Sequence, residues 1–433
     1  MKVLLLGLGR ANVAVAQYLI ERNDELFLYE DNPDMLLPAA QELLSTGRIH
    51  AYVDRDYDLA ITSPGFPVHK PIVRKLSAQR IPIVDEMEFT YSELGEPRII
   101  AVTGTNGKST TVAIISSILT TAGTNNFLGG NIAPGKPFSE ALFEPRYDYY
   151  VLEVSSFQLM RIATFRPHIA MVTNISVDHL NWHRSIAEYR AAKQKIFKNQ
   201  RTSDFAVLNY EDKTIREFSH TICAHVVFFG LHARDGAWLN STMNYKGESL
   251  FDTTVISLPG QHNIMNVLGA IAVAKIVNID NGSIEKGIRS FRTLPHRLED
   301  IGTIEGIRYV NNSMCTNESA AIASLNAITE PVIVIVGGKQ KGDRAEHYLD
   351  LLTRSAKACV VLGDNAADIK LFFESKHFKR FVIAETMADA VSKARDFAVA
   401  GDAILLNPGY ASFDYFANFE KRGEAFKNAV HAH

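Results

Sequence analysis

"RIIAVTGTNGKSTTVAII" (residues 98–115) joins an apolar run rich in isoleucine and valine to a glycine-containing turn, then Lys-Ser-Thr, then a second apolar run. That order predicts a buried strand, a loop and a helix, an arrangement that offers backbone N–H groups and a helix N-terminus to phosphate. In "TGTNGKST", Gly104 and Gly107 free the backbone to face an anion, with Thr105 and Asn106 between them. Lys108 brings a point charge, and Ser109 or Thr110 reaches a magnesium ion. The usual phosphate-loop pattern has another glycine where this chain has Val102, so the motif departs from the standard by one residue. An ordinary strand-to-helix turn is the competing reading. A phosphate loop serves hydrolysis, phosphoryl transfer to a hydroxyl, or bond formation, and the loop alone does not choose among them.

The same rhythm extends in both directions and predicts an α/β protein. Short Val- and Ile-rich runs favour buried strands over helices. Residues 1–93 alternate "KVLLLGLG", "ELFLYE", "LAITSPG" and "IPIVDE" with helical stretches, which implies a parallel sheet with crossover helices. A polar linker is expected at "SELGEPR" (92–98). The middle block, 94–298, carries "RIIAVTG", "DYYVLEVSS", "HIAMVTNIS", "FAVLNY" and "HVVFFG", with turns and small strands near 231–253. Residues 299–433 repeat the rhythm with "PVIVIVGG", "ACVVLG", "FVIAE" and "AILLNPG".

Composition excludes several classes. Hydrophobic residues make up 46% of 433, enough for packed cores. A formal charge of −3 gives no reason to expect a nucleic acid or an acidic membrane as partner. The three cysteines, Cys223, Cys315 and Cys359, are widely spaced and form neither a disulfide framework nor a metal knuckle, which suits a reducing compartment. The start, "MKVLLLGLGRAN", breaks at Arg10 and has no cleavage-like stretch, so it does not read as a signal peptide. No run reaches the roughly eighteen apolar residues of a membrane span.

Other strand ends carry polar chemistry. "LLLGLGRAN" places Gly7 and Gly9 as in a dinucleotide fingerprint, but Asn12 holds the third glycine position. Glu30 closes "ELFLYE" where an acid meets a ribose hydroxyl, and Ser63–Gly65 share the same rim. A redox cofactor, another nucleotide and tight packing all fit these glycines. Glu153 lies inside an apolar strand and needs a partner. Asp178, His179 and His183 follow the next strand, and oxygen ligands with imidazole suit magnesium or manganese better than a structural zinc. A hydrogen-bonded core acid and a packing histidine are the plainer alternatives. Lys193, in the helical "SIAEYRAAKQKIFKN", reads by itself as a solvated lysine.

"GTNGKST", "GGN" (129–131), "VLEVSSFQL", "NISVDHLNWH", "YRAAK", "GQHNIMN", "LPHR", "GGKQKG" and "NPGYASFDYFANFEKRG" occur in an order that resembles the Mur ligases of peptidoglycan synthesis across essentially the whole chain. "SSFQL" and the carboxy-terminal "ASFD…NFEKRG" point to the branch that adds D-glutamate. The resemblance implies three domains. A Rossmann-like domain (1–93) binds the UDP moiety. A central P-loop-type domain (94–298) binds ATP. A second Rossmann-like domain (299–433) contacts ATP and the amino acid. It implies ATP-dependent ligation of D-glutamate to UDP-N-acetylmuramoyl-L-alanine through an acyl phosphate, by a cytoplasmic monomer with no nucleic-acid or membrane partner. L-glutamate, another acceptor, or an impaired nucleotide-binding homologue are the alternatives.

By the same resemblance, Gly7, Gly9, Glu30, Ser63 and Gly65 face UDP, and Asn131, Ser155 and Gln158 face substrate. Lys108, Ser109 and Thr110 hold the triphosphate. Glu153 and His179 match magnesium ligands, and Lys193 matches a lysine that family members carbamylate to hold a second magnesium. Asn263 and Asn266 match adenine contacts, and Arg297 a nucleotide contact. Thr316, Lys341, Ser412 and Phe419 match the region that receives the amino acid. One stretch departs: "YVNNSMCTNES" (309–319) has Asn312 for the family's aspartate, Met314 for its lysine and Cys315 for its alanine. Lys339 and Lys341 are the nearby cations available to compensate.

Overall fold

Buried aliphatic strands organise the chain into three sheets. The computed structural model describes residues 1–33, 36–67, 69–176, 183, 185–258, 260–340 and 345–432. The first sheet contains β1 (Lys2–Leu6), β2 (Glu25–Tyr29), β3 (Ile49–Ala51), β4 (Leu59–Thr62) and β5 (Ile83–Asp85). All are parallel, in the order 3-2-1-4-5. The order reverses between β1 and β4, so the glycines after β1 and the turn after β4 flank a crevice of the kind that binds ligands in such sheets.

The second sheet contains β6 (Ile99–Thr103), β7 (Asn126–Gly130), β8 (Tyr149–Glu153), β9 (Ile169–Val172), β10 (Phe205–Asn209) and β11 (His225–Gly230). Short strands β12 (Ala237–Leu239), β13 (Met243–Tyr245) and β14 (Glu248–Phe251) extend one edge, giving the order 14-13-12-11-10-9-6-8-7. The fully buried β6 lies between β8 and β9, so their carboxyl ends converge on the loop that follows it. The third sheet contains β15 (Glu299–Ile304), β16 (Ile307–Asn311), β17 (Val332–Val336), β18 (Ala358–Val361), β19 (Phe381–Ile383) and β20 (Ala403–Leu406), ordered 15-16-20-17-18-19. Only β15 is antiparallel to its neighbour there.

Two compact units result. One comprises Met1–Ile175, Ala187–Val255 and Asn266–Ser290 and holds the first two sheets. The other comprises Ser176–Ile186, Ile256–Met265 and Phe291–His433 and holds the third. Among the described residues, no helix is long and apolar enough to cross a membrane.

The expected linker is partly helical. Ser92–Leu94 finish the helix Glu86–Leu94, which Asp85 caps by accepting the Glu88 N–H at 2.8 Å and which ends at Gly95 with φ 67°. This helix is the seam between the first two sheets. Glu88 accepts the N–H groups of Ala163, Thr164 and Phe165 at 2.9, 2.6 and 3.0 Å. Glu86 accepts that of Ser139 at 2.6 Å, and the Ser139 hydroxyl donates to the Ala11 carbonyl at 2.9 Å.

The helix after the phosphate loop, Lys108–Thr121, is set by a close approach. A Cβ on Gly287 would fall 2.6 Å from the Ile118 Cα, and the Ser117 hydroxyl donates to the Gly287 carbonyl at 2.8 Å. Alanine within a helix normally gains about 1 kcal/mol over glycine, but overpacking costs about 1–3 kcal/mol. Gly287→Ala is therefore expected to lower the urea midpoint with an unchanged slope. A raised midpoint would show that the approach relaxes freely.

Candidate active site

The loop after β6 needs its two glycines. A Cβ on Gly104 (φ 149°) would lie 1.9 Å from the Thr173 Oγ1, and one on Gly107 (φ 83°) 2.3 Å from the Asn266 Oδ1. Residues just past β9 hold the loop open. Asn174 accepts the N–H groups of Thr105 and Asn106, through its carbonyl at 2.8 Å and its side chain at 2.9 Å. Its amide and the Thr173 hydroxyl both donate to the Asn106 carbonyl, at 2.9 and 2.7 Å. Gly107 caps the helix Lys108–Thr121, and the Lys108 Nζ donates to the Thr105 carbonyl at 2.9 Å. Thr110 is buried in that helix's first turn.

Glu153 ends β8 with 3% of its surface exposed. Ser109 Oγ donates to one carboxylate oxygen at 2.5 Å and Asn131 Nδ2 to the other at 3.2 Å. The Asn131 N–H also donates to the Glu153 carbonyl at 2.8 Å. Ser109, Asn131 and Glu153 thus meet beside the loop. Two residues on, Ser155 and Gln158 form a reciprocal capping box at the start of the short helix Ser156–Leu159.

Lys193 is not solvated. It is 2% exposed, and its Nζ donates to the Gly104 carbonyl at 2.7 Å and toward the Thr103 Oγ1 at 3.4 Å. The same nitrogen lies 4.6 Å from the centre of the Tyr189 ring, whose hydroxyl meets the Thr105 hydroxyl at 3.1 Å. One turn of the helix Ile186–Gln194 therefore aims two groups at the base of the loop. Asp178 and His179 lie outside the described residues, while His183 is buried. Among the described residues, no cluster of three or more His, Cys, Asp or Glu stands ready for a metal. The Ser109 and Glu153 oxygens remain, and magnesium accepts one or two such ligands alongside substrate phosphates.

At the first sheet, Gly7 (φ 79°) and Gly9 pack against Ser63, with a Cβ on Gly9 falling 2.7 Å from its Oγ. Glu30 accepts the Leu8 N–H at 3.2 Å, and Gly65 faces open space. Asn12 explains the missing third glycine. Fully buried, its amide donates to the carbonyls of Gly7 at 2.8 Å and Ile61 at 3.3 Å, clamping β1 to β4 beneath the glycine turn.

Asn266 accepts a hydrogen bond from the Thr111 hydroxyl at 3.3 Å, in the unit that carries the loop. Asn263 is buried in the other unit. That unit holds Thr316, which is exposed, and Ser412, which is buried. Lys341 lies outside the described residues. The sequence reading missed the residue that gathers this region, Arg422. Its guanidinium donates to the Ser313 hydroxyl (3.1 Å) and carbonyl (2.8 Å) and to the carbonyls of Tyr410 (3.1 Å) and Ala411 (3.2 Å). Ser313 in turn donates to the Phe419 carbonyl at 2.7 Å, and the Phe419 ring meets His296 edge-on. Burial brings the Arg422 guanidinium down to about 10 and pushes the Cys315 thiol up to about 12. His296 and His262 are both depressed, chiefly by burial.

Residues 102–274 match the Mur ligase middle domain, and residues 296–409 match the Mur ligase glutamate ligase domain. The chain is similar to UDP-N-acetylmuramoylalanine--D-glutamate ligase of Pelotomaculum thermopropionicum, 37% identical with 99% of this chain and 97% of that protein covered. The protein of the same name from Alkaliphilus metalliredigens is 34% identical over the same shares. Among solved structures, UDP-N-acetylmuramate-alanine ligase from Thermotoga maritima shares the fold, with a TM-score of 0.66 at 20% identity, covering 100% of this chain and 99% of that one. MurF ligase from the same organism, in complex with ADP, scores 0.61 at 15% identity over 87% and 96%.

Proposed function

The chain belongs to the Mur ligase family, and from that premise we propose that it joins D-glutamate to UDP-N-acetylmuramoyl-L-alanine at the expense of ATP, in peptidoglycan precursor synthesis. One observation carries the reading: a phosphate loop bordered by a buried Glu153 that Ser109 and Asn131 hold, with Lys193 at its base. Relatives named for this ligation span nearly the whole chain.

We assign residues 1–93 to the UDP moiety, 94–298 to ATP and 299–433 to the amino acid and part of ATP. Gly7, Gly9, Glu30, Ser63 and Gly65 line the UDP crevice. Ser155, Gln158 and Asn131 face the substrate's peptide end. Asn263, Asn266 and Arg297 take the nucleotide, and Thr316, Lys341, Ser412 and Phe419 take the glutamate. The protein works as a monomer in the cytoplasm, with no nucleic acid or membrane as partner.

The chemistry opposes two anions. At about 4 Å and an effective dielectric of about 20, two unit charges repel by about 4 kcal/mol. Lys108 offsets part of this and orients the triphosphate through the loop it braces. The substrate carboxylate oxygen bonds to the γ-phosphorus as the bond to ADP breaks, giving an acyl phosphate. The glutamate nitrogen then attacks that carbonyl carbon, phosphate leaves with the electron pair, and the nitrogen loses its proton. Ser109 and Glu153 would hold a magnesium ion, and His179 with a carbamate on Lys193 a second. When bound, these ions neutralise phosphate charge as it develops.

The decisive assay supplies ATP, magnesium and UDP-N-acetylmuramoyl-L-alanine with either glutamate enantiomer, reading phosphate and product mass. Phosphate and the amide product are expected with D-glutamate alone. Product with the L-enantiomer instead, or ATP binding without substrate-dependent phosphate release, would overturn the assignment.

A further inference from the structure

Arg297 sits in a turn of unusual shape. His296 and Leu298, on either side of it, have φ of 64° and 44°, in the left-handed region that residues with side chains seldom enter. Residues 312–314 hold the turn at three points. The Leu298 N–H donates to the Asn312 Oδ1 at 3.0 Å, and the Met314 N–H donates to the His296 carbonyl at 3.0 Å. The third point is the side chain itself, because the Arg297 Nη2 donates to the Met314 sulfur at 2.8 Å. Asn312 is fixed from behind. Its Nδ2 donates to the Asn407 Oδ1 at 2.8 Å, while the Asn407 Nδ2 donates to the Ala321 carbonyl at 3.0 Å.

We propose that Met314 is a positioning residue for nucleotide binding: its thioether receives Arg297 and sets the direction in which the guanidinium meets the nucleotide. This rests on the reading of Arg297 as a nucleotide contact. A thioether is a neutral, weak acceptor, so it orients the guanidinium without cancelling the charge that phosphate needs. A carboxylate there would compete with the nucleotide. A lysine, the residue usual in the family, would place an ammonium beside the guanidinium and offer no acceptor. An aspartate at position 312 would set an acceptor oxygen against the Asn407 Oδ1, whose amide is held in place by Ala321. Each of the two departures thus has its own partner within this chain, and neither reverts alone without cost.

The test uses the full-length protein and its Met314→Leu, Met314→Gln and Met314→Lys variants. ATP affinity is measured by calorimetry and ligation by phosphate release. Leucine keeps the bulk and removes the acceptor, so Kd and KM for ATP are expected to rise about 5-fold with little change in kcat. Glutamine restores an acceptor and should return both constants to within about twofold of wild type. Lysine should weaken ATP binding more than leucine does, with a defect that shrinks as salt rises. A merely structural role would change melting temperature and move neither the KM-to-kcat split nor the glutamine rescue. Unaltered ATP affinity in the leucine variant, no rescue by glutamine, or tighter binding with lysine would overturn the proposal. Should the leucine variant fail to fold, the glutamine and lysine variants decide. A wild-type protein that binds ATP yet makes no glutamate product overturns the ligase reading alone, and the Kd series still judges Met314. One that binds no ATP overturns both.

Discussion

Lys193→Ala is expected to lower ligation by about 10³-fold or more, with no recovery on adding bicarbonate. Lysine is among the residues least often buried, and burying its charge without compensation is costly. This one is 2% exposed and is spent on the carbonyl of the first loop glycine. Two roles compete: a hydrogen-bond strut for the loop, or an amine that becomes a carbamate and holds a metal ion. Lys193→Arg separates them, because arginine keeps the donor and the charge but does not form the carbamate. The carbamate role predicts that arginine is nearly as inactive as alanine while ATP still binds. An arginine variant with near-wild-type turnover would leave Lys193 as a strut. Loss of cooperative melting in both variants would point the same way.

Lys108→Ala should reduce substrate-dependent ADP formation by about 10²–10³-fold. Its Nζ now donates to the Thr105 carbonyl, so the ammonium is already stationed over the loop. The loss should fall mainly on kcat, because charge on the transferring phosphoryl group grows in the transition state. Lys108→Arg keeps the charge but replaces a compact ammonium with a planar fork, and a partial recovery is expected. If alanine raised only KM for ATP and left kcat intact, Lys108 would be a ground-state anchor and no more.

The parts legible from sequence were those where one local run carried the whole signal. β6 with its glycine loop, β8 ending in Glu153 and the Val/Ile strands of the third sheet are continuous apolar segments with one punctuating turn. What stayed hidden depended on distant partners. β3 has three residues, two of them exposed, and β7 reads "NFLGG", where two glycines mask a strand. The β15–β16 hairpin was also passed over. Lys193 read as a solvated helix lysine and Arg422 drew no reading at all, and only the carbonyls they reach reveal their roles in packing. Asn12 counted against the dinucleotide fingerprint until its amide was seen to clamp the turn the fingerprint requires. At Met314 the sequence shows only that the family's lysine is missing, while the Arg297 contact favours a loss if lysine is put there.

The carboxylates of Glu86 and Glu88 stitch the first two sheets together with buried bonds spanning more than fifty residues of chain. Such a rivet fixes the spacing between the crevice after β1 and the phosphate loop. If that crevice takes the UDP moiety, as proposed, the spacing acts as a ruler: a precursor whose peptide is one residue longer would carry its carboxylate past the loop by up to about 3.5 Å, and reach alone would weigh against it.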